Sequence, residues 1–253
     1  MIINILGKDI DIPDGPEEKR GRRRCPKCGG RGWITRTDSA GYEFADPCEC
    51  QVKEWAFDRL RLSGIEKIAE RCTFDTFWVD TEEQAHIKEV AMKYAQELEG
   101  WFFIGGQTGS GKTHICTAIT VAAINAGHDA RYVRWRSTSE ELKEAKKDGS
   151  YKEKVGQIKR AGVLYIDDLW KGAPTEADIK LAFEILSERY DERLPTIISS
   201  ERTIADIVKI DESIASRIVE RCGRDRLLAI RKNRKSNFRT EQNGQLRFGG
   251  AQN

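Results

Sequence analysis

No stretch of this 253-residue chain is apolar over the length of a membrane span, and its N-terminus lacks the layout of a signal peptide. Both absences lead to the expectation of a soluble protein that stays in the cytoplasm. Net charge is nearly absent too, at +2, but that figure conceals local blocks. Lys19, Arg20, Arg22, Arg23 and Arg24 form one basic run, and Arg231, Lys232, Arg234, Lys235 and Arg239 form another. Such runs are either solvated surface or contacts to nucleic acid. A disulfide framework is lacking as well. Four of the seven cysteines fall between residues 25 and 50 in metal-ligand spacing, while Cys72, Cys116 and Cys222 are scattered through apolar contexts. A reduced compartment with one metal site accounts for that pattern. With 39% hydrophobic and 33% charged residues, the chain is long enough for one medium domain plus something smaller.

The chain is organised around Gly106-Gln107-Thr108-Gly109-Ser110-Gly111-Lys112-Thr113, which fits the phosphate-binding pattern G-x-x-x-x-G-K-[ST] at every fixed position. The apolar run 101–104 precedes it. A helical pattern follows, with Ile115, Ile119, Ala122 and Ala126 on one face and Gly127 as the stop. Strand, glycine loop and helix bring backbone N–H groups onto phosphate oxygens, and the helix N-terminus adds partial positive charge. Lys112 is expected to reach the β and γ phosphates of ATP, or the β phosphate of ADP, and the Thr113 hydroxyl to ligate Mg²⁺.

Ahead of this core, residues 1–12 alternate as a short hairpin turning at Gly7-Lys8, and residues 13–24 read as an exposed linker. Cys25, Cys28, Cys48 and Cys50 then form two close thiolate pairs that can close a tetrahedral site around Zn²⁺. Trp33-Ile34-Thr35 and Tyr42-Glu43-Phe44 look like the two strands of a hairpin between them. Four thiolates leave no ligand position open, so the site is expected to be structural; an iron–sulfur cluster uses the same ligands. The spacing predicts a helix over 51–62, an aromatic cluster over 72–78 packed against the main domain, and a helix over 81–98.

Beyond the glycine loop, strands (130–135, 163–166, 196–198, 227–230) alternate with helices (137–147, 151–160, from 176, 204–209, 212–222). The helix over 137–147 is expected to be capped by Ser137 or Thr138. That from 176 is expected to bury Ile179, Phe183, Leu186 and Tyr190. Alternation with continuous apolar strands predicts an α/β fold, a parallel sheet between two layers of helices. The strand over 163–166 ends in Asp167 and Asp168. In such folds ligands bind beyond the carboxyl ends of the strands, so Asp167 is expected to hold Mg²⁺ and Asp168 to orient or deprotonate the attacking water.

Residues 106–114 followed by Ile115, the block Ile166-Asp167-Asp168-Leu169, Pro195-Thr196-Ile197-Ile198-Ser199-Ser200, and Ala215-Ser216-Arg217 with Arg221 resemble the DnaC/DnaI helicase loaders and their IstB relatives within the AAA+ ATPases. The cysteine cluster, followed by Ser63-Gly64-Ile65 and Thr73-Phe74-Asp75-Thr76-Phe77, is similar to the DnaI-like and bacteriophage loaders that carry an N-terminal zinc module. The resemblance covers about residues 25–240. The chain is accordingly divided into an N-terminal segment with a zinc-binding module over 1–50, a linker helix and aromatic segment over 51–80, an AAA+ core over 81–240 without the helical lid of many AAA+ proteins, and a tail over 241–253 expected to be disordered. The resemblance also implies a homo-oligomeric ATPase that binds the hexameric replicative DNA helicase and helps place it on single-stranded DNA, with no membrane partner. In that family an arginine late in the domain reaches the γ phosphate held by the neighbouring subunit; here it is Arg217 or Arg221. His114 and Arg239 join the nucleotide contacts by the same resemblance. One position departs from the pattern: where the family usually has an asparagine after the fourth strand, this chain has Glu201. A carboxylate only accepts hydrogen bonds and repels phosphate, so hydrolysis is expected to be slow, or Ser200 to take the role. The alternatives are a transposition helper ATPase of the IstB type, a nucleotide-binding adaptor with little hydrolysis, and a small-molecule phosphotransferase.

Overall fold

The computed structural model describes residues 2–5, 8–11, 25–37 and 41–230. The expected linker with its basic run, the C-terminal basic run with Arg239, and the tail lie outside the described residues. β1 (Ile2–Ile5) and β2 (Lys8–Asp11) pair antiparallel, as the alternation anticipates, and β3 (Trp33–Thr37) and β4 (Glu43–Pro47) form a second antiparallel pair between the two cysteine pairs. α1 (Glu49–Ser63), α2 (Glu66–Ala69) and α3 (Glu82–Glu97) lead to β5 (Trp101–Gly106), the strand before the glycine loop. Then follow α4 (Lys112–Asn125), β6 (Ala130–Arg134), α5 (Trp135–Asp148), α6 (Tyr151–Arg160), β7 (Val163–Asp167), α7 (Glu176–Asp191), β8 (Thr196–Ser200), α8 (Ile204–Ile210), α9 (Glu212–Cys222) and β9 (Leu227–Ile230).

β5 to β9 form one sheet in the order β6-β7-β8-β5-β9, every pair parallel. Successive side chains on a strand point to opposite faces, so an unbroken apolar run needs a core on each side. Phe102, Ile104, Tyr165 and Ile197 enter the layer built by α1 to α4, beside Leu60, Tyr94, Ile115 and Ile119. Trp101, Phe103, Leu164, Ile166 and Ile198 enter the opposite layer of α5 to α9, beside Leu142, Ile185, Leu186 and Ile218. Each such side chain contributes about 1.5 to 3 kcal/mol of transfer free energy. Capping boxes fix the starts of three helices: Thr81 with Gln84 for α3, Thr175 with Asp178 for α7, and Thr203 with Asp206 for α8.

Several local expectations give way to packing. α4 is buried nearly all round, Cys116, Ala118 and Ala123 as fully as Ile115 and Ile119, because it lies between the sheet and α3 rather than on the surface. Ala126 only caps it. Trp135 opens α5 instead of closing β6, and neither Ser137 nor Thr138 caps that helix; Ser137 Oγ donates to Arg134 O from within the first turn. α7 buries Leu181, Ala182, Ile185, Leu186 and Arg189, which rotates Phe183 out to 38% exposure. In the aromatic segment Phe77 is buried and Phe74 partly so, but Trp78 is 64% exposed.

Candidate active site

Three adjacent strands, β7, β8 and β5, end side by side, and their carboxyl ends deliver Asp167-Asp168, Ser199-Ser200-Glu201 and the glycine loop. Backbone crowding explains the loop's composition. Gly106 has φ +118°, and a Cβ there would lie 2.2 Å from Ile230 O. Gly111 (φ +83°) is the N-cap of α4, and no side chain caps that helix. First-turn N–H groups are therefore left for a ligand.

Lys112 is buried at 6% exposure, and its Nζ donates to Gly106 O (3.0 Å) and Gln107 O (2.6 Å). Ser110 Oγ donates to Gln107 O at 2.6 Å, so the loop is closed by its own side chains. Burial pushes the Lys112 ammonium below its ordinary range, while Asp168 and Glu201 pull it back up. Asp167 is 3% exposed and saturated by hydroxyls. Its Oδ1 accepts from Ser199 Oγ (2.6 Å), Tyr165 Oη (2.7 Å) and Thr113 Oγ1 (3.1 Å), and its Oδ2 from Tyr132 Oη (3.1 Å). Four hydroxyl donors satisfy this buried carboxyl group, and Arg134 is its register partner on β6. Thr113 and Asp167, joined directly, are residues that could hold a Mg²⁺ ion accompanying a nucleotide.

Asp168 stands at φ +56° with its N–H donated to Ser199 Oγ at 3.0 Å. Its Oδ2 meets Lys171 Nζ at 3.0 Å, and the same ammonium meets Glu201 Oε1 at 2.9 Å. Glu201 and Asp168 raise the Lys171 pKa; Lys171 and the Thr108 hydroxyl lower that of Glu201. These groups border a cleft of about 370 Å³ whose other wall is Ile68, Arg71, Cys72, Phe77 and Trp78. The segment expected only to pack on the core thus walls the site.

His114 borders the cleft, but its Nε2 is 2.8 Å from Thr73 O and 3.2 Å from Thr76 Oγ1, and its ring meets Phe77 edge-on at 5.4 Å. Its ring fastens the aromatic segment to α4, and burial lowers its pKa. Ser200 is not brought into the cleft: it is fully buried, donating to Leu169 O at 2.7 Å and accepting from Arg202 N–H at 3.1 Å. The strand's alternation turns Ser200 away from the side that Ser199 shares with Asp167. Arg217 and Arg221 lie on α9, outside this cleft. The Arg217 guanidinium covers Phe183 (5.0 Å) and Tyr190 (5.5 Å) and donates to Ser213 O at 2.9 Å; Arg221 donates to Arg193 O at 3.2 Å. The Nε of each has no hydrogen-bond partner among the described residues.

At the other end of the described chain, the Sγ atoms of Cys25, Cys28, Cys48 and Cys50 lie within 4.8 Å of one another, with Cys25–Cys48 at 3.7 Å and Cys28–Cys50 at 3.5 Å. Tetrahedral thiolates about 2.3 Å from Zn²⁺ have edges of about 3.8 Å, so the cluster can hold zinc. Gly32 N–H donates to Cys28 Sγ at 3.3 Å. Desolvation alone would raise the Cys28 thiol, but that N–H and the Cys50 thiol draw it down to about 6.

Lys171, Tyr132, Tyr165 and Ser199 join the site without a motif of their own in the sequence. Tyr165 carried a usable signal, since residues two apart on a strand share a face, and Asp167 is two residues on.

The family model described as "IstB-like ATP binding protein" matches residues 57–234. The Phage-like element PBSX protein XkdC of Bacillus subtilis (strain 168) is 31% identical over 240 residues, 87% of each chain. The Insertion sequence IS21 putative ATP-binding protein of Pseudomonas aeruginosa is 28% identical over 187 residues, 69% of each. A crystal structure of the DnaC helicase loader superposes with a TM-score of 0.54 at 20% identity, covering 66% of this chain and 99% of that one, and so shares the fold. On the family match and the XkdC similarity, the chain belongs to the IstB/DnaC-like family of AAA+ ATPases.

Proposed function

We propose that this protein is an ATP-dependent loader that binds the hexameric replicative DNA helicase and helps place it on single-stranded DNA. The observation that carries the reading is the Cys₄ cluster preceding an ATP-binding core with a complete glycine loop. In this reading Lys112 leaves the carbonyls of Gly106 and Gln107 for the β and γ phosphates, and the first-turn N–H groups of α4 cradle them. Thr113 and Asp167 would hold Mg²⁺, which offsets phosphate charge. Asp168 orients the attacking water and accepts its proton. Arg217 or Arg221 of an adjoining copy completes the site, so that hydrolysis depends on assembly. Their place on α9, away from their own chain's cleft, supports a role toward a neighbour. The zinc module over 1–50, with its basic flank, engages the helicase, and the C-terminal basic run holds single-stranded DNA in a salt-sensitive manner indifferent to sequence.

The test is a pull-down from host lysate with and without ATP. Recovery of a replicative helicase that depends on ATP and is lost in Cys28→Ser supports the reading; a helicase absent under both conditions refutes it. The similarity to the IS21 protein favours a second reading, a transposition helper, which predicts recovery of a transposase instead. Glu201 favours a third, an adaptor, which predicts no steady-state phosphate release with or without single-stranded DNA.

A further inference from the structure

Glu201, a group that cannot donate a hydrogen bond, lines the cleft beside the glycine loop. A second carboxylate, Asp168, stands close by, and the Lys112 ammonium is held by two loop carbonyls. What the structure supplies instead is Lys171. Its Nζ sits between the two acids, 3.0 Å from Asp168 Oδ2 and 2.9 Å from Glu201 Oε1, at the edge of the cleft with its side chain 45% exposed. The turn that carries it is held on several sides. Asp168 and Trp170 both have positive φ, Lys171 N–H donates to Asp168 O, Leu169 N–H to Ser199 O, and Arg202 Nε to Trp170 O. Left-handed backbone at two non-glycine residues is costly and persists where surrounding bonds impose it.

We infer that Lys171, held between Asp168 and Glu201 at the edge of the cleft, is the donor that recognises the terminal phosphate in cis. This rests on the nucleotide-site reading above. The γ phosphate, carrying more charge than either carboxylate, draws the ammonium across, and Glu201 remains bonded to the Thr108 hydroxyl of the glycine loop. The pair Lys171–Glu201 thereby makes the site select triphosphate over diphosphate.

The test measures Kd for ATP and for ADP, each with Mg²⁺, by displacement of a fluorescent nucleotide from the full chain. Lys171→Met keeps the apolar stem and is expected to weaken ATP about tenfold or more while moving ADP less than about twofold, with Lys171→Arg restoring most of the difference. Glu201→Gln loosens the hold on that ammonium and is expected to tighten ATP several-fold with ADP unchanged. Lys112→Ala should weaken both nucleotides. If Lys112→Ala abolishes binding but Lys171→Met shifts ATP and ADP equally, or neither, Lys171 is only a structural counter-ion and the inference is overturned. If Lys112→Ala changes nothing, the site assignment itself fails.

Discussion

Thr113 Oγ1 donates to Asp167 Oδ1 at 3.1 Å, joining the first turn of α4 to the last residue of β7 across 54 positions of sequence. Asp167 is therefore both the expected magnesium-binding group and a structural acceptor for Tyr165 and Ser199. The two roles separate by substitution. Asp167→Asn keeps an acceptor oxygen and should leave thermal unfolding within a few degrees of the parent while removing ATP hydrolysis. Asp167→Leu leaves buried hydroxyls unpaired and should also cost about 2 to 4 kcal/mol in urea unfolding.

Arg189 is fully buried without an acidic partner among the described residues. It donates to Lys159 O, Ala161 O and Pro195 O at 2.5 to 2.8 Å and to Thr196 Oγ1 at 2.9 Å. It ties the carbonyls ending α6 to the start of β8, the strand that leads to Glu201. Burial holds its pKa down to about 10. Arg189→Ala should destabilise the core by about 3 to 5 kcal/mol in urea unfolding. Arg189→Lys should recover little, because one ammonium cannot span that fork.

Asp178 tests the pH dependence. Desolvation would raise its pKa, but Lys143 Nζ at 2.6 Å and the Thr175 cap hold it at about 2. A depressed carboxylate contributes stability that is present above its unfolded value near 3.9 and is lost as pH falls through the folded value. Asp178→Asn should thus lower stability by about 1 kcal/mol at neutral pH, solvent screening allowed for, and the gap should close between pH 4 and pH 2.

Metal removal addresses the cysteine cluster. β3 and β4 are exposed along their whole lengths, so the hairpin has little core of its own. One zinc per chain is expected by elemental analysis. Chelation should open residues 25–50 to protease while the unfolding of the ATPase core stays unchanged. A hairpin equally protected without metal would contradict the assignment.

What was legible in the sequence follows the range of the forces involved. The glycine loop, the strand ending in Asp167 and Asp168, and the cysteine pairs are local patterns, and their consequences hold within a few residues. The placements that came from elsewhere needed tertiary contact. His114 turns to Thr73, forty-one positions away. Ser200 faces Leu169 because β8 alternates, and Lys171 meets Glu201 only because β7 and β8 are neighbours. Phe183 fits the helical period of α7, yet Arg189 takes the buried stripe and leaves Phe183 beneath Arg217.

Arg217 and Arg221 can be told apart by mixing subunits. Each arginine variant is combined with Lys112→Ala copies, so that the only intact glycine loops sit beside arginine-deficient or intact neighbours. The variant whose steady-state phosphate release is restored by Lys112→Ala copies is the one acting across the interface.

Equilibrium binding of labelled ATP with Mg²⁺ to the parent chain and to Lys112→Ala bears on everything above. One saturable site per chain, lost in Lys112→Ala with its fold intact by circular dichroism, is the expected result; equal binding by both proteins would contradict a phosphate seat at residues 106–113.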